Sequence, residues 1–326
     1  MSDTIWGDPS FLHVQSPVRS TDLKALAPRC DRLQFCDALS EADHLVVATF
    51  LRANPRLTLR VFGGFADPSL FKYYEGIRRL QIDGYTGPYP AMLQLLPRSL
   101  SALTIVAPLT PALDLGALEK LEEITDLHVF ARTKNSAVLK TLPQLRRLSL
   151  GKVSARDLGV IEQLRSLEEL CLFGAVVPVN TLPSSLENLR KINLINLSKT
   201  ERVDNLSSFG QLQSIKLERM PRVTGLPSLA PLVHLNRVWL ENLRNLHDLQ
   251  PVADAPQLEW LACMSMPQLE PSHFKPFADH PAFRQVYYSS GPFSAALFGR
   301  GGHKTQDVIR EQLGLDPEIH AAWPRS

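Results

Sequence analysis

The feature that most constrains this chain is a block of the form apolar-x-x-apolar-x-apolar that returns about every 23 residues. The clearest copies are Leu145-Arg-Arg-Leu148-Ser-Leu150, Leu167-Glu-Glu-Leu170-Cys-Leu172, Leu212-Gln-Ser-Ile215-Lys-Leu217 and Leu235-Asn-Arg-Val238-Trp-Leu240. Further copies place the middle apolar residue at Leu33, Leu57, Leu80, Leu103, Leu127, Ile192, Leu261 and Val286, so that twelve blocks follow one another at intervals of 21 to 25 residues. The last two apolar residues of a block stand two apart, and a β-strand points both to one face. One such unit cannot bury its leucines alone, whereas a stack of them builds a continuous core. The period therefore predicts an α/β repeat solenoid. Between the strands, Leu158–Leu164 reads as one or two helical turns, and the proline-bearing Leu226–Leu232 as extended or 3₁₀ chain.

On these blocks and their period, residues 30–290 resemble the leucine-rich-repeat family. The resemblance implies a curved horseshoe with about twelve parallel strands on its concave face and short helical or extended segments on its convex face. It implies a molecule that works by binding, and the irregular repeats resemble those of plant intracellular immune receptors and of bacterial repeat proteins. The family's usual asparagine, five positions after the middle leucine, is replaced here by Val153, Ala175, Leu197, Met220, Leu243 and Met266. Without an amide ladder, the turn after each strand must satisfy its backbone groups in another way.

A solenoid exposes core at both ends and needs covers there. Residues 1–29 carry Trp6, Phe11, Leu12 and Val14, then a short capped helix at Thr21–Leu26, and are expected to form the N-terminal cap. Residues 291–326 are expected to form the C-terminal cap: an apolar run from Gly291 to Phe298, a glycine-rich break, and a helix over Thr305–Leu313 with Val308, Ile309 and Leu313 on one face.

Composition and motifs narrow the function. Thirty-five basic and 33 acidic residues leave a net charge of +2, which argues against nucleic acid or an anionic membrane as a bulk electrostatic partner. No apolar stretch is long enough for a membrane helix, and Met1–Ser10 lacks the pattern of a secretory signal. Cys30, Cys36, Cys171 and Cys263 have no paired spacing, which fits reduced thiols in a cytoplasmic protein; a secreted effector without a classical signal is the alternative. No zinc-like spacing occurs, and no cofactor is expected. The stretch Gly299–Thr305 differs from a phosphate-binding loop in carrying His303 where a glycine must precede the lysine. Cys30 and Cys263 fall on inward positions. Cys171 falls on the outward face, with Ser149 and Asn193 as its equivalents on neighbouring strands, neither of which is a base.

The same register names the open face of the sheet. One end is basic, through Arg32, Arg56, Arg60 and Arg79. The other carries Trp239, Trp260 and Tyr287, read as a ladder in one register and flanked by Arg237 and Glu241, with Phe173 as a further aromatic on the face. Aromatic residues beside arginine are the composition of interface hot spots. The leading expectation is a monomeric, non-enzymatic protein-binding module, as an effector, immunity protein or adaptor of bacterial origin. The alternatives are an enzyme using His128 or Cys171 on the concave face, and a nucleic-acid binder using the arginine stripe.

Overall fold

The structure is a computed structural model, and it describes residues 5–8, 11–26, 30–35, 38–63, 67–108, 110–175, 182, 184–291 and 303–315. The chain divides into two compact units, Met1–Lys152 and Val153–Ser326.

In the first unit, β1 (Ile5–Asp8) and β2 (Phe11–Val14) form an antiparallel hairpin, and β2 runs parallel to β3 (Arg32–Phe35). From there β4 (Thr58–Phe62), β5 (Arg79–Asp83), β6 (Ala102–Val106), β8 (Asp126–Phe130) and β10 (Arg147–Gly151) add in parallel, one per repeat. Two-residue strands β7 (Leu113–Asp114) and β9 (Thr133–Lys134) pair beside this sheet. The second unit continues the repeat with β11 (Glu169–Phe173), β12 (Lys191–Ile195), β13 (Ser214–Glu218), β14 (Arg237–Glu241), β15 (Trp260–Met264) and β16 (Gln285–Ser289), all parallel.

The strands obey the predicted alternation. In the second unit Leu170, Ile192, Ile215, Val238, Leu261 and Val286 are register partners and all are buried, as are Leu172, Leu194, Leu217, Leu240 and Cys263 two positions on. Each such side chain contributes about 1.5–3 kcal/mol by leaving water. One repeat departs from the expected register. Leu33 pairs with Leu59, and Leu59 with Leu80, so the middle position of β4 is Leu59 and not Leu57. Both leucines are buried, and in this repeat the opening apolar residue stands two rather than three positions ahead of the middle one. A long return helix, α2 (Glu41–Ala53), N-capped by Ser40, stretches the interval from Leu33 to 26 residues.

The other return segments are short. They include α1 (Ser20–Leu26), α3 (Tyr89–Gln94), α4 (Ala155–Ile161), α5 (Gln250–Ala253) and 3₁₀ turns such as Asp204–Ser208. Helix α4 begins with a capping box between Ser154 and Asp157 and lies where one or two helical turns were expected. Residues 223–229 have no regular structure. At the C-terminal end, α6 (His303–Gln312) packs against β16, and Gln306 accepts a hydrogen bond from the Tyr288 N–H at 3.4 Å. Ile309 and Leu313 are buried as expected, but Val308 is exposed and Arg310 takes a buried position instead. Residue 308 directly precedes the buried pair 309–310, so the helix face that meets the unit runs through Ile309 and Leu313 and leaves Val308 outside. The apolar run from residue 292, the glycine-rich break and Cys36 lie outside the described residues, as do the side chains of Trp6 and Phe11.

The turn after each strand shows what replaces the asparagine ladder. Lys152, Gly174, Asn196, Arg219, Asn242 and Ser265, each four positions after a middle apolar residue, all have φ between 51° and 64°. This left-handed residue turns the chain so that the next one, Val153 to Met266 in the same series, is buried. In the second unit its N–H bridges to the next strand: Gly174 to the Ile195 carbonyl at 2.8 Å, Asn196 to Glu218 at 2.8 Å, Arg219 to Glu241 at 2.9 Å and Asn242 to Met264 at 2.9 Å. A backbone ladder therefore does the work of the amide one.

Gly84 holds the equivalent place in the first unit, with φ of 73° and room for a Cβ only 3.3 Å from the Gly63 carbonyl oxygen. Gly84→Ala is expected to cost about 1–2 kcal/mol, lowering the melting temperature of that unit by roughly 3–8 °C. Gly159→Ala, inside α4 with open space around it, should instead stabilise by about 0.5–1 kcal/mol. Thermal melts that move both variants in the same direction would contradict this.

Candidate functional site

The solvent-facing side of the second unit's sheet is organised in three rows by the strand register. The row before the middle apolar residues reads Glu169, Lys191, Ser214, Arg237, Trp260 and Gln285; the next reads Cys171, Asn193, Lys216, Trp239, Ala262 and Tyr287; the last reads Phe173, Ile195, Glu218, Glu241, Met264 and Ser289. Trp239 and Tyr287 thus share a row with the buried Ala262 between them, while Trp260 lies in the row alongside Arg237 and Gln285. The expected single-register ladder is corrected to a diagonal. Trp260 stands one residue before Leu261 whereas Trp239 stands one after Val238, a difference of two positions that keeps both on the same face.

The diagonal brings two rings into contact. Trp260 and Tyr287 stack with centroids 6.3 Å apart and planes 11° from parallel, and both remain half-exposed. Burial pushes the Tyr287 hydroxyl above its ordinary pKa. Trp239 is held differently: its indole N–H donates to the Glu241 carboxylate at 3.0 Å, and the Lys216 ammonium lies 5.2 Å from its ring centroid. Lys216 also pairs with Glu218 at 2.8 Å and approaches Glu241 at 3.9 Å. Cation and carboxylates therefore hold Trp239 from its ring face and from its indole N–H. Phe173 is not part of this group. It sits on β11, three strands from β14, or about 14 Å away at ordinary strand spacing, beside Ile195.

Next to Trp239 a depression of about 650 Å³ runs across the starts of β11 to β14. Glu169, Lys191, Asn193, Lys216, Arg237 and Trp239 are among its walls, joined by Arg190 and Asn236 from the chain just before the strands. The Arg237 Nε is buried and has no hydrogen-bond partner among the described residues. An unsatisfied guanidinium donor at such a place is costly unless something supplies an acceptor. Sequence reasoning reached Arg237 and Trp239. It passed over Lys191 and Glu169, although their row positions were readable, and over Arg190 and Asn236, which with Glu168 and Gln213 hold the place two before the middle apolar residue in successive blocks.

The four arginines assigned to the other end of the chain fare unevenly. Arg32 and Arg79 stand in the first row of the first unit's sheet, and Arg60 in the second. Arg60 is tied to Asp83 and donates to Gln34 Oε1 at 2.9 Å. Arg56 is not on this face: with Leu59 as the middle residue, Thr58 takes that position, and Arg56 donates to the Cys30 carbonyl at 2.7 Å near Asp31. The stripe missed Arg147, which pairs with the buried Asp126.

The residues named for the enzymatic alternative are dispersed. His128 Nδ1 lies 2.7 Å from Ser149 Oγ, and burial depresses its pKa. Cys171 neighbours Asn193 on β12. Neither lines the depression beside Trp239. Cys30 and Cys263 are core thiols, as expected, and burial raises the pKa of each. Among the described residues no group of three His, Cys, Asp or Glu side chains gathers as a metal site would, and no helix is long and apolar enough to cross a membrane.

Parallel strands one per repeat, a buried apolar pair in each and left-handed turns behind them define a leucine-rich-repeat solenoid. The comparison with solved structures places the same fold on an internalin, inlF, of Listeria monocytogenes, at a TM-score of 0.53 and 14% identity, covering 94% of this chain and 85% of that one. Another Listeria monocytogenes internalin, C2, aligns at a TM-score of 0.42 and 19% identity over 61% of this chain and 83% of its own. TLR13 in complex with ssRNA13 aligns at 0.48 and 14% over 84% and 45%. No protein-family model and no curated protein matches the chain.

Proposed function

We propose that the chain is a non-enzymatic protein-binding module whose partner docks on the second unit's sheet, over Trp239, Trp260 and Tyr287 and against Arg237 and Glu241. The observation that carries this reading is the half-exposed Trp260–Tyr287 stack set diagonally to Trp239 at the rim of a depression holding an unsatisfied arginine donor. Anchoring aromatics beside arginine, with ion pairs at the margin, are what interface hot spots are made of. The leucine-rich-repeat fold supports the same class of function. The unpaired core thiols Cys30 and Cys263 support residence in a reducing, cytoplasmic compartment, and on this reading the protein acts as a monomer of bacterial origin.

The test is capture from the native host followed by titration of the captured protein against purified chain. Trp239→Ala combined with Trp260→Ala is expected to weaken binding by roughly 30-fold or more. Both side chains are half-exposed, so the melting temperature should move by only a few degrees. Unchanged titration, or a large loss of thermal stability, would sink the assignment of the patch to binding.

A further inference from the structure

The first unit carries a second surface, unrelated to the tryptophans. Seven large hydrophobic side chains among the described residues are more than a third exposed, and three of them stand in one row of one sheet: Phe62, Val106 and Phe130. They close β4, β6 and β8, and Phe62 pairs in register with Asp83, Asp83 with Val106, and Val106 with Phe130. Three strand steps separate the ends of the row, about 14 Å, which four or five extended residues would span. The Arg60 guanidinium lies 4.4 Å from the centroid of Phe62, so that end is held in place.

The row leads into a groove. Val106 is followed by Ala107 and Pro108, and Asp83 by Gly84 and Tyr85; Ala107, Pro108 and Tyr85 help line a cavity of about 900 Å³ together with Tyr89, Pro111 and Leu113. The rings of Tyr85 and Tyr89 meet edge to face at 5.1 Å. Three of its polar members are engaged with one another: Asp114 accepts from the Gly116 N–H at 2.9 Å and from Asn135 at 2.8 Å, and pairs with Lys134 at 3.4 Å. Most of what remains of the lining is apolar wall.

Charge says what kind of segment fits. The described sheet rows of β3 to β10 hold four arginines, Arg32, Arg60, Arg79 and Arg147, against two carboxylates, Asp83 and Asp126. A second copy of the same face would bring like net charge against like. Single-stranded nucleic acid would set its phosphates beside Asp83 and Asp126, and the rings it would stack on, Phe62 and Phe130, are separated in their row by Asp83 and Val106. We infer that this surface receives an extended acidic segment of another protein, with bulky apolar side chains seated on Phe62, Val106 and Phe130 and in the tyrosine–proline groove, and carboxylates facing Arg79 and Arg32.

The test is panning of a random-peptide display library on the immobilised full chain. Recovered sequences should join a bulky apolar residue to flanking Asp or Glu. Binding of the synthesised peptides should fall at least tenfold in Val106→Ala with Phe130→Ala, and again in Arg79→Glu. It should be unchanged in Trp239→Ala with Trp260→Ala, which separates this proposal from the site on the second unit. The Val106 and Phe130 side chains are exposed, so these variants should keep the wild-type melt; Arg79→Glu tests the charge without touching the apolar row. No enrichment overturns the proposal, as does a basic consensus or retention by the first-unit variants. Displacement of the peptides by oligouridylate, with affinity collapsing as salt rises, overturns it in favour of nucleic acid.

Discussion

Leu194→Asp is expected to abolish the cooperative unfolding transition of the second unit, while Asn193→Asp, one residue away, leaves it in place. Leu194 is fully buried between Leu172 and Leu217 in the register of β11, β12 and β13. A carboxylate there loses its hydration among apolar neighbours such as Leu172 and Leu217, and the cost exceeds about 4 kcal/mol before the lost leucine packing is counted. A total stability of about 5–15 kcal/mol leaves little after that. Asn193 points to the other face, where it lines the depression, and its row neighbour on β13 is Lys216. A carboxylate at that place stays within about 0.5 kcal/mol of wild type. Circular dichroism melts with urea titration read both. A Leu194→Asp protein that melts like wild type would mean the strand is out of register by one.

That contrast also shows why so much of the fold was legible. A strand has a period of two, and every repeat restates it, so an error in one block is checked by its neighbours. The error at Leu57 survived because Leu57, Leu59 and Val61 satisfy the pattern in two registers, and only the pairing with Leu33 and Leu80 decides between them. It displaced Arg56 onto the open face and hid Phe62, the residue that completes the exposed apolar row. The turn chemistry was legible only in part. Gly174, Asn196 and Asn242 have residue types that favour the left-handed conformation, but Lys152, Arg219 and Ser265 adopt it as well and nothing in their type announces it.

The candidate sites were legible by row and not by contact. Knowing that Trp239, Trp260 and Tyr287 face outward follows from their distance to the middle apolar residue. That Trp260 stacks on Tyr287 while Trp239 is held by Glu241 and Lys216 depends on a two-residue offset and on side-chain directions. The depression behind Trp239 draws on Arg190 and Asn236, which precede their strands at the same place in each block, a position that the inward and outward alternation of the strand does not cover. The tyrosine–proline groove is built from a helix and loop of the first unit that the block pattern treats as mere return path.

Acidification from pH 7 to pH 5 is expected to destabilise the first unit through two histidines. His44 is buried between Phe35, Tyr73 and Tyr74, with its Nδ1 2.8 Å from the Tyr74 hydroxyl, and burial lowers its pKa although the Asp43 charge works the other way. His128 is lowered by burial as well; the charge of Asp126 opposes that, and those of Arg147 and Arg79 add to it. A depressed histidine binds its proton later in the folded chain than in the unfolded one. The stability it contributes is therefore complete above the ordinary histidine value, about 6.5, and is lost as pH falls below it towards the folded value. Each group can remove at most about 1.4 kcal/mol per pH unit, so the melting temperature of the unit should drop across the window, by no more than about 15 °C for the two together. Asp126 acts in a lower window. Burial alone would raise its pKa, but hydrogen bonds from Arg147 and Thr125 and the charges of Arg147 and Arg79 outweigh it and hold it below the carboxylate range. Its contribution is present above about pH 4 and disappears only below that. Melts between pH 7 and 5 should show the decline reduced in His44→Gln and in His128→Gln, and nearly abolished when both are changed. An identical decline in the double variant would mean that other groups carry the proton.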